Sequence, residues 1–92
     1  MTIVVKFTAQ LKKEAGTAQQ EFELADDDNL TALLARVSQA FNDKVRDMIF
    51  DDNGVFRQSI IIVQNGTQVG IDDPIALKQG DEILLMSPIA GG

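Results

Sequence analysis

One segment of this chain repeats its apolar residues at the spacing of a helix, and short segments with β-strand patterns flank it on both sides. The repeat follows an i, i+3, i+4, i+7, i+11 pattern through Leu30, Leu33, Leu34, Val37 and Phe41. Residues at this spacing share one face, so the segment predicts an amphipathic helix. Asp28 or Asn29 is the expected N-cap, because either side chain can accept a hydrogen bond from a first-turn backbone N–H.

Two strands are predicted before this helix. Apolar residues alternate with others over positions 1–7 and again over positions 20–25. Alternation at period two is typical of strands with one buried face. Gly16 marks a turn between the two runs, so we expect a hairpin with a loop over about positions 12–17.

Three more strands are predicted after the helix. The run at 59–63 is almost entirely β-branched and apolar, which predicts a central strand buried on both faces. The dipeptide Asn65-Gly66 favours a hairpin that returns into a short strand at 67–69, and a last strand is predicted over 82–86. The mixed pattern at 42–52 fits either a short helix or a loop that closes onto the core.

The resulting order, β-β-α-β-β-β with short helical turns between, predicts an α+β fold. We expect one main helix to cross a mixed sheet of about five strands, with the first and last strands side by side in the middle. Residues 1–86 form the domain in this interpretation, and residues 87–92 form an extended, flexible C-terminal tail.

Composition narrows the functional classes. The 92 residues include no Cys and no His, which excludes disulfides, thiolate or imidazole zinc sites and His-dependent catalytic triads. We therefore expect no enzyme and no cofactor bound on this chain. Two acidic groups, at 26–28 and 51–53, could suggest metal sites. A helix-dipole interaction for the first and a turn for the second are the favoured interpretations, so no metal site is predicted.

The net charge of −6 argues against nucleic acid and anionic membranes as partners and favours a protein with a basic surface. The chain has no apolar run long enough to span a bilayer, and its N-terminus lacks the pattern of an export signal. We expect a cytoplasmic protein that acts by docking. Val4, Val69 and Met86 are the candidate docking residues, on the sheet face that the helix leaves uncovered; the alternative is that they are core or scattered surface residues.

The C-terminal segment carries the candidate chemistry. Pro88 favours an extended conformation at Ser87, and Gly91 and Gly92 have no side chains. Such a tail could pass through a narrow channel and bring its carboxylate to a nucleotide held by another enzyme. Adenylation by ATP would make the carboxylate an acyl donor, and a sulfur nucleophile could then replace AMP. ATP would bind the partner, and this chain would be the substrate.

Gly80-Asp81-Glu82, a hydrophobic strand and the ending Pro88-Ile89-Ala90-Gly91-Gly92 together resemble the C-terminal signature of ubiquitin-like sulfur carriers. This family includes the small subunit of molybdopterin synthase and the carriers of thiamine and cysteine synthesis. Further matches occur in order along the chain, at 7–13, 16–17, 29–34 and 63–66. The resemblance implies a β-grasp fold, activation by a ubiquitin-activating-type adenylating enzyme, and a thiocarboxylate at Gly92.

In the molybdopterin branch, the resemblance implies a tail that inserts into the large synthase subunit through Pro88, Ile89, Ala90 and Gly91. The chain departs from that branch at Thr8, where Phe is common, and at Ser87, where a second Pro is common. Its 52–57 segment is similar to carriers of the cysteine type.

A carrier for molybdopterin synthesis is the leading hypothesis. A carrier for cysteine or thiamine synthesis, or a modifier joined to lysines, is the alternative. A purely structural module would leave the terminal Gly-Gly unexplained. The sequence closes on this pair, so we expect that no protease has to mature the chain.

Overall fold

The computed structural model describes residues 1–87, which form a five-stranded sheet and three helices. The elements in chain order are β1 (Thr2–Phe7), α1 (Ala9–Ala15), β2 (Gln19–Glu23), α2 (Leu30–Ala40), α3 (Asp43–Ile49), β3 (Ile61–Gln64), β4 (Thr67–Val69) and β5 (Glu82–Met86). No helix within residues 1–87 is long and apolar enough to cross a membrane. The α+β fold is confirmed.

The sheet is mixed, with the strand order β2-β1-β5-β3-β4. β1 and β5 are parallel neighbours, and Val5 lies opposite Ile83. The other neighbouring pairs are antiparallel. The first and last strands therefore lie side by side in the interior of the sheet, as predicted, and β5 has a partner on each side.

The core lies between the three helices and one face of the sheet. Its members are buried apolar residues from every helix and from all strands except β4: Ile3, Val5, Phe7, Leu11, Phe22, Leu24, Leu30, Leu33, Leu34, Val37, Val45, Ile49, Ile60, Ile62, Leu77, Ile83 and Leu85. The predicted face of α2 supplies four of them, and Phe41, just beyond α2, packs edge-on against Phe7 with ring centroids 5.4 Å apart. Burial of this single apolar layer holds the helices on the sheet.

Polar side chains define the starts of two helices. The Asn29 side chain accepts from the Ala32 N–H at the start of α2, and Asn42 does the same for Val45 in α3. Of the two predicted N-caps of α2, Asn29 is the one used. Asp28 instead accepts from the Ala25 N–H in the turn before the helix. The mixed segment at 42–52 therefore contains a helix, which the sequence left open.

Two sequence predictions about individual elements of the fold are wrong. The predicted loop at 12–17 contains the second half of α1, which ends at Ala15 and is capped by Gly16 with φ +76°. The β3 segment is not buried on both faces, because Ile61 is 39% exposed while Ile60 and Ile62 are buried. The helices cover only one face of the sheet, so alternate residues of β3 point away from the core.

Candidate functional site

The C-terminal segment follows directly after β5, which ends at Met86. β5 is hydrogen-bonded to β1 and β3, and Met86, its last residue, lies opposite Ile61. The tail residues to which sequence analysis assigns a function are Pro88, Ile89, Ala90, Gly91 and Gly92, all of which lie outside the described residues. Their roles stay predictions. Within residues 1–87, the candidate site consists of the sheet surface around β5 and the hydrogen bonds that hold the two ends of this strand.

The sheet face away from the helices, here called the open face, carries an apolar strip on β5 and its two neighbouring strands, β1 and β3. The strip consists of Val4, Ile61, Val63, Leu84 and Met86. Two cross-strand pairs form its centre, because Ile61 lies opposite Met86 and Val63 opposite Leu84. Ile61 and Met86 are exposed at 39% and 38%, and the other three are half-buried.

Of the three candidate docking residues, Val4 and Met86 lie on the open face, whereas Val69 does not. Val69 pairs with Ile62, whose side chain is buried in the core, and opposite residues in an antiparallel pair share a face. Val69 accordingly packs against the core from the sheet edge. The prediction that Val69 faces outward is wrong.

Sequence analysis missed Ile61, Val63 and Leu84 as members of the strip. The signal was present in the period-two alternation, because each of these residues is adjacent in sequence to a buried one. Reading the 59–63 run as buried on both faces concealed it.

Charged side chains border the apolar strip. Lys6 Nζ lies 2.8 Å from Glu82 Oε1 on the open face, and Val4 is flanked by Glu21 on β2 and Glu82 on β5. Both members of the ion pair are substantially exposed, so the pair adds little stability. Protein–protein interfaces commonly have an apolar centre and a polar rim, and the open face has the same arrangement.

The base of the tail is hydrogen-bonded to α1. The Ser87 hydroxyl donates to the Thr8 carbonyl oxygen over 3.2 Å and accepts from the Leu11 N–H over 3.2 Å. The Thr8 hydroxyl donates to the carbonyl oxygen of Leu85 over 3.3 Å. Sequence analysis assigned Ser87 to the tail, but its contacts join it to the domain.

A buried carboxylate fixes the other end of β5. Asp81 is 8% exposed and accepts from Asn65 Nδ2, Gln64 Nε2 and the Lys78 N–H at 2.9, 3.1 and 2.8 Å. Burial raises the pKa of this carboxyl, but the three hydrogen bonds and the Lys78 charge outweigh it, so the pKa lies below its ordinary value. Asp81 ties the loop before β5 to the turn between β3 and β4.

Residues 1–87 contain no group of three or more His, Cys, Asp or Glu side chains arranged to hold a metal ion. The acidic groups at 26–28 and 51–53 instead serve turns. Asp51 Oδ1 accepts from the N–H groups of Asn53 and Val55, and Gly54 there has φ +78°. Residues 1–87 thus present an exposed apolar strip on the open face and a β5 strand that is hydrogen-bonded at both ends.

A family comparison and a similar protein of known family agree on the family of this chain. Residues 5–92 match the ThiS family. Over all 92 residues the chain is 30% identical to the molybdopterin synthase sulfur carrier subunit of Chlamydomonas reinhardtii, and it covers the whole of that protein.

Solved structures show the same fold. The crystal structure of SAMP1 from Haloferax volcanii matches with a TM-score of 0.89 at 24% identity, over the full length of both chains. A chain in the complex of subunits 1 and 2 of molybdopterin-converting factor from Helicobacter pylori matches with a TM-score of 0.65 at 20% identity, again over both full lengths. The β-grasp architecture is thereby confirmed, and with the match over residues 5–92, this chain belongs to the ThiS family of ubiquitin-like sulfur carriers.

Proposed function

We propose that this protein carries sulfur as a thiocarboxylate on Gly92 and donates it in molybdopterin synthesis as the small synthase subunit. The observation that supports this most is that the family match extends through residue 92 and so includes the terminal Gly91-Gly92. The full-length similarity to a molybdopterin synthase sulfur carrier subunit supports the choice of pathway.

Activation would take two balanced steps. A Gly92 carboxylate oxygen attacks the α-phosphorus of ATP, a new O–P bond forms, and pyrophosphate leaves with the electrons of the broken P–O bond. A hydrosulfide-level sulfur donor held by the partner then attacks the carbonyl carbon. The C–S bond forms, AMP leaves with the electrons of the C–O bond, and the sulfur's proton passes to solvent. No atom changes oxidation state, so no oxidant or reductant is needed.

This chain would contribute position rather than catalysis to these steps. The partner would bind ATP and supply the acid, base and metal chemistry, because the chain has no His or Cys and residues 1–87 hold no group of side chains arranged to bind a metal ion. The apolar strip on the open face would dock the adenylating enzyme, since it is exposed beside the residue from which the tail begins. An intracellular site of action, in the cytoplasm, belongs to the same proposal.

The sulfur acceptor in this proposal is the large molybdopterin synthase subunit. The Helicobacter pylori neighbour is described in a complex of the two subunits of molybdopterin-converting factor, which supports a second subunit as the partner here. The alternatives are a carrier for cysteine or thiamine synthesis and a protein modifier. The structural similarity to SAMP1, a small archaeal modifier protein, favours the modifier as the second candidate. Both candidates share the adenylation step and differ in the acceptor.

Pyrophosphate exchange into ATP tests the activation step. The full chain should support exchange by its adenylating enzyme, and deletion of Gly92 should abolish it without unfolding the domain. Gly91→Val should also reduce exchange strongly, because a β-branched side chain stiffens and widens the tail. Gly70→Val is the matched control, since a Cβ there meets Asp73 only at ordinary contact distances of 3.5 Å or more. Undiminished exchange by the Gly92-deleted chain would refute the proposal.

Acceptor assays separate the pathways. The thiocarboxylated chain should transfer sulfur to a pterin precursor in the presence of a large synthase subunit. Transfer instead to a cysteine or thiamine precursor, or formation of an isopeptide bond to a lysine, would replace the molybdopterin assignment with one of the alternatives.

A further inference from the structure

We propose that Ser87 is a positioning residue, whose hydroxyl clamps the base of the tail to the start of α1 and so sets where residues 88–92 leave the domain. The inference rests on the proposed function, because it concerns how Gly92 is presented to the activating enzyme. Ser87 and Thr8, the two positions where the chain departs from the molybdopterin-branch pattern, are direct partners in this contact.

The first part of the clamp is a capping hydrogen bond that Ser87 makes to the start of α1. Thr8 is the N-cap of α1, yet its side chain makes no capping hydrogen bond. Its hydroxyl donates to the Leu85 carbonyl instead. Ser87 takes over the capping role, because its hydroxyl oxygen accepts from the N–H of Leu11, the third residue of α1.

The same serine hydroxyl also donates, to the Thr8 carbonyl, so both hydrogen-bonding capacities of the group point at α1. Thr8 and Ser87 therefore form two crossed contacts between the β1–α1 junction and the end of β5. Their removal would take away the side-chain hydrogen bonds between the end of β5 and the start of α1 without touching the apolar strip.

The clamp is attached to rigid parts of the molecule. Leu11 and Leu85 are fully buried, and Phe7, immediately before Thr8, is 3% exposed. These neighbours belong to the core, so the atoms that hold Ser87 have little freedom of their own. Ser87 itself is half-buried.

Ser87 is also the final anchor of the described residues. The β-ladder ends at the Met86–Ile61 pair, and Pro88 has no N–H with which to extend it. Five residues then remain to Gly92, and their extended reach is at most about 18 Å. When the base of such a short segment is released, its free length grows and its starting direction is lost. The effective concentration of a chain end falls with roughly the −3/2 power of free length.

The expected effect is a loss of about two- to fivefold in kcat/KM for activation when the hydroxyl is removed. One added residue of free length accounts for only about 1.3-fold of this loss, and the lost starting direction accounts for the rest. The loss should lie mainly in kcat, because the docking strip is unchanged and KM for the carrier should stay within about twofold. A merely structural serine would lower the melting temperature and leave kcat unchanged at a temperature where every variant is folded.

The kinetic test compares three full-length variants with the parent chain. Ser87→Ala removes the hydroxyl, Ser87→Thr restores it, and Ser38→Ala removes a half-buried serine hydroxyl from α2, where it donates to the Ala35 carbonyl. Ser87→Ala should lose kcat, Ser87→Thr should recover it, and Ser38→Ala should match the parent. Equal kcat for Ser87→Ala and the parent would overturn the clamp, as would equal losses in Ser87→Ala and Ser87→Thr. Failure of the parent chain itself to be activated would overturn the proposed function instead.

NMR measurements on the isolated protein test the clamp independently of the kinetics. Hydrogen exchange of the Leu11 amide and ¹⁵N relaxation of the Ile89 and Ala90 amides report the capping bond and the motion of the tail. Ser87→Ala should speed exchange at Leu11 and increase motion at both tail amides, and Ser38→Ala should change neither. Unchanged Leu11 exchange and tail relaxation in Ser87→Ala would overturn the proposal whatever the kinetics show.

Discussion

The side chain of Asn65 donates to the carboxylate of Asp81, with 2.9 Å between Nδ2 and Oδ1, while its own Oδ1 accepts from the Glu82 N–H over 2.8 Å. One side chain thus joins the β3–β4 turn to the first residue of β5. Asn65 has φ +48°, a left-handed conformation that Asn tolerates better than most residues. The contact therefore joins the start of β5 to the turn that follows β3, the strand with which β5 pairs.

Asp81→Asn should lower the free energy of unfolding at pH 7 by about 2 kcal/mol, because an amide cannot accept all three donors that the carboxylate satisfies. The effect should depend on pH. The carboxyl pKa is lowered on folding, so its stabilisation is present above the ordinary value of 3.8 and is lost as the pH falls through the folded value. Urea denaturation at pH 7 and pH 3 should show the difference between parent and variant shrinking in acid.

Asp27→Asn is the matched control for this experiment, since Asp27 is exposed. It should change stability little at either pH. A parent-minus-variant difference for Asp81→Asn that is the same at both pH values would show that the Asp81 carboxylate is not the group that titrates.

Ala9→Gly should raise the stability of the domain by up to about 1 kcal/mol. Ala9 has φ +52°, a conformation that is costly for an L-residue with a Cβ and free for glycine. This relief exceeds the entropy that glycine loses on folding. Ala35→Gly, inside α2, should have the opposite sign and destabilise by about 1 kcal/mol. Thermal denaturation of both variants tests the prediction, which fails if the two changes have the same sign.

Met86→Asp should raise the dissociation rate from the adenylating enzyme at least about tenfold, because it places an unpaired charge in the apolar strip when the partner covers it. Val55→Asp makes a similar change at a side chain that is 59% exposed and borders a cavity with Thr31 of α2, away from the open face. Surface plasmon resonance should find that Val55→Asp dissociates from the adenylating enzyme at the same rate as the parent. Equal dissociation rates for Met86→Asp and the parent would remove Met86 from the docking surface.

Association with the adenylating enzyme should slow as salt is added, because the chain carries a net charge of −6. The association rate can be measured by stopped flow from about 10 mM to about 1 M salt. Over this range the Debye length, the distance over which exposed charges interact, falls from about 30 Å to about 3 Å. The association rate should fall at least about tenfold, with a smaller change in the dissociation rate. An association rate independent of salt would show that charge does not steer the encounter.

Sequence patterns predicted the elements whose residues share one clear environment. In β1 the apolar residues repeat every two positions, and Ile3 and Val5 are buried. In α2 they repeat about every 3.6 positions, and Leu33 and Val37 are buried. The Asn65-Gly66 hairpin and the bounds of β5 also agree with the prediction. Local pattern suffices where burial alternates regularly.

Other features depend on contacts between distant segments. α1 has only Leu11 fully buried, so it lacks a periodic face, although its Ala, Gln, Lys and Glu residues favour helix. The face of Val69 follows from its register with Ile62, which the unbroken apolar run at 60–63 does not reveal. The contact between Ser87 and Thr8 joins residues 79 positions apart, and no local pattern predicts it.

The mass of the protein after reaction with ATP, the adenylating enzyme and a sulfide donor tests the carrier function most directly. Intact-mass spectrometry should find the increase that corresponds to replacement of one oxygen by sulfur, and fragmentation should place it on Gly92. The Gly92-deleted chain should retain its original mass under the same conditions. An unchanged mass for the full chain, when the enzyme activates a known carrier in parallel, or a sulfur located anywhere other than Gly92, would contradict the proposed function.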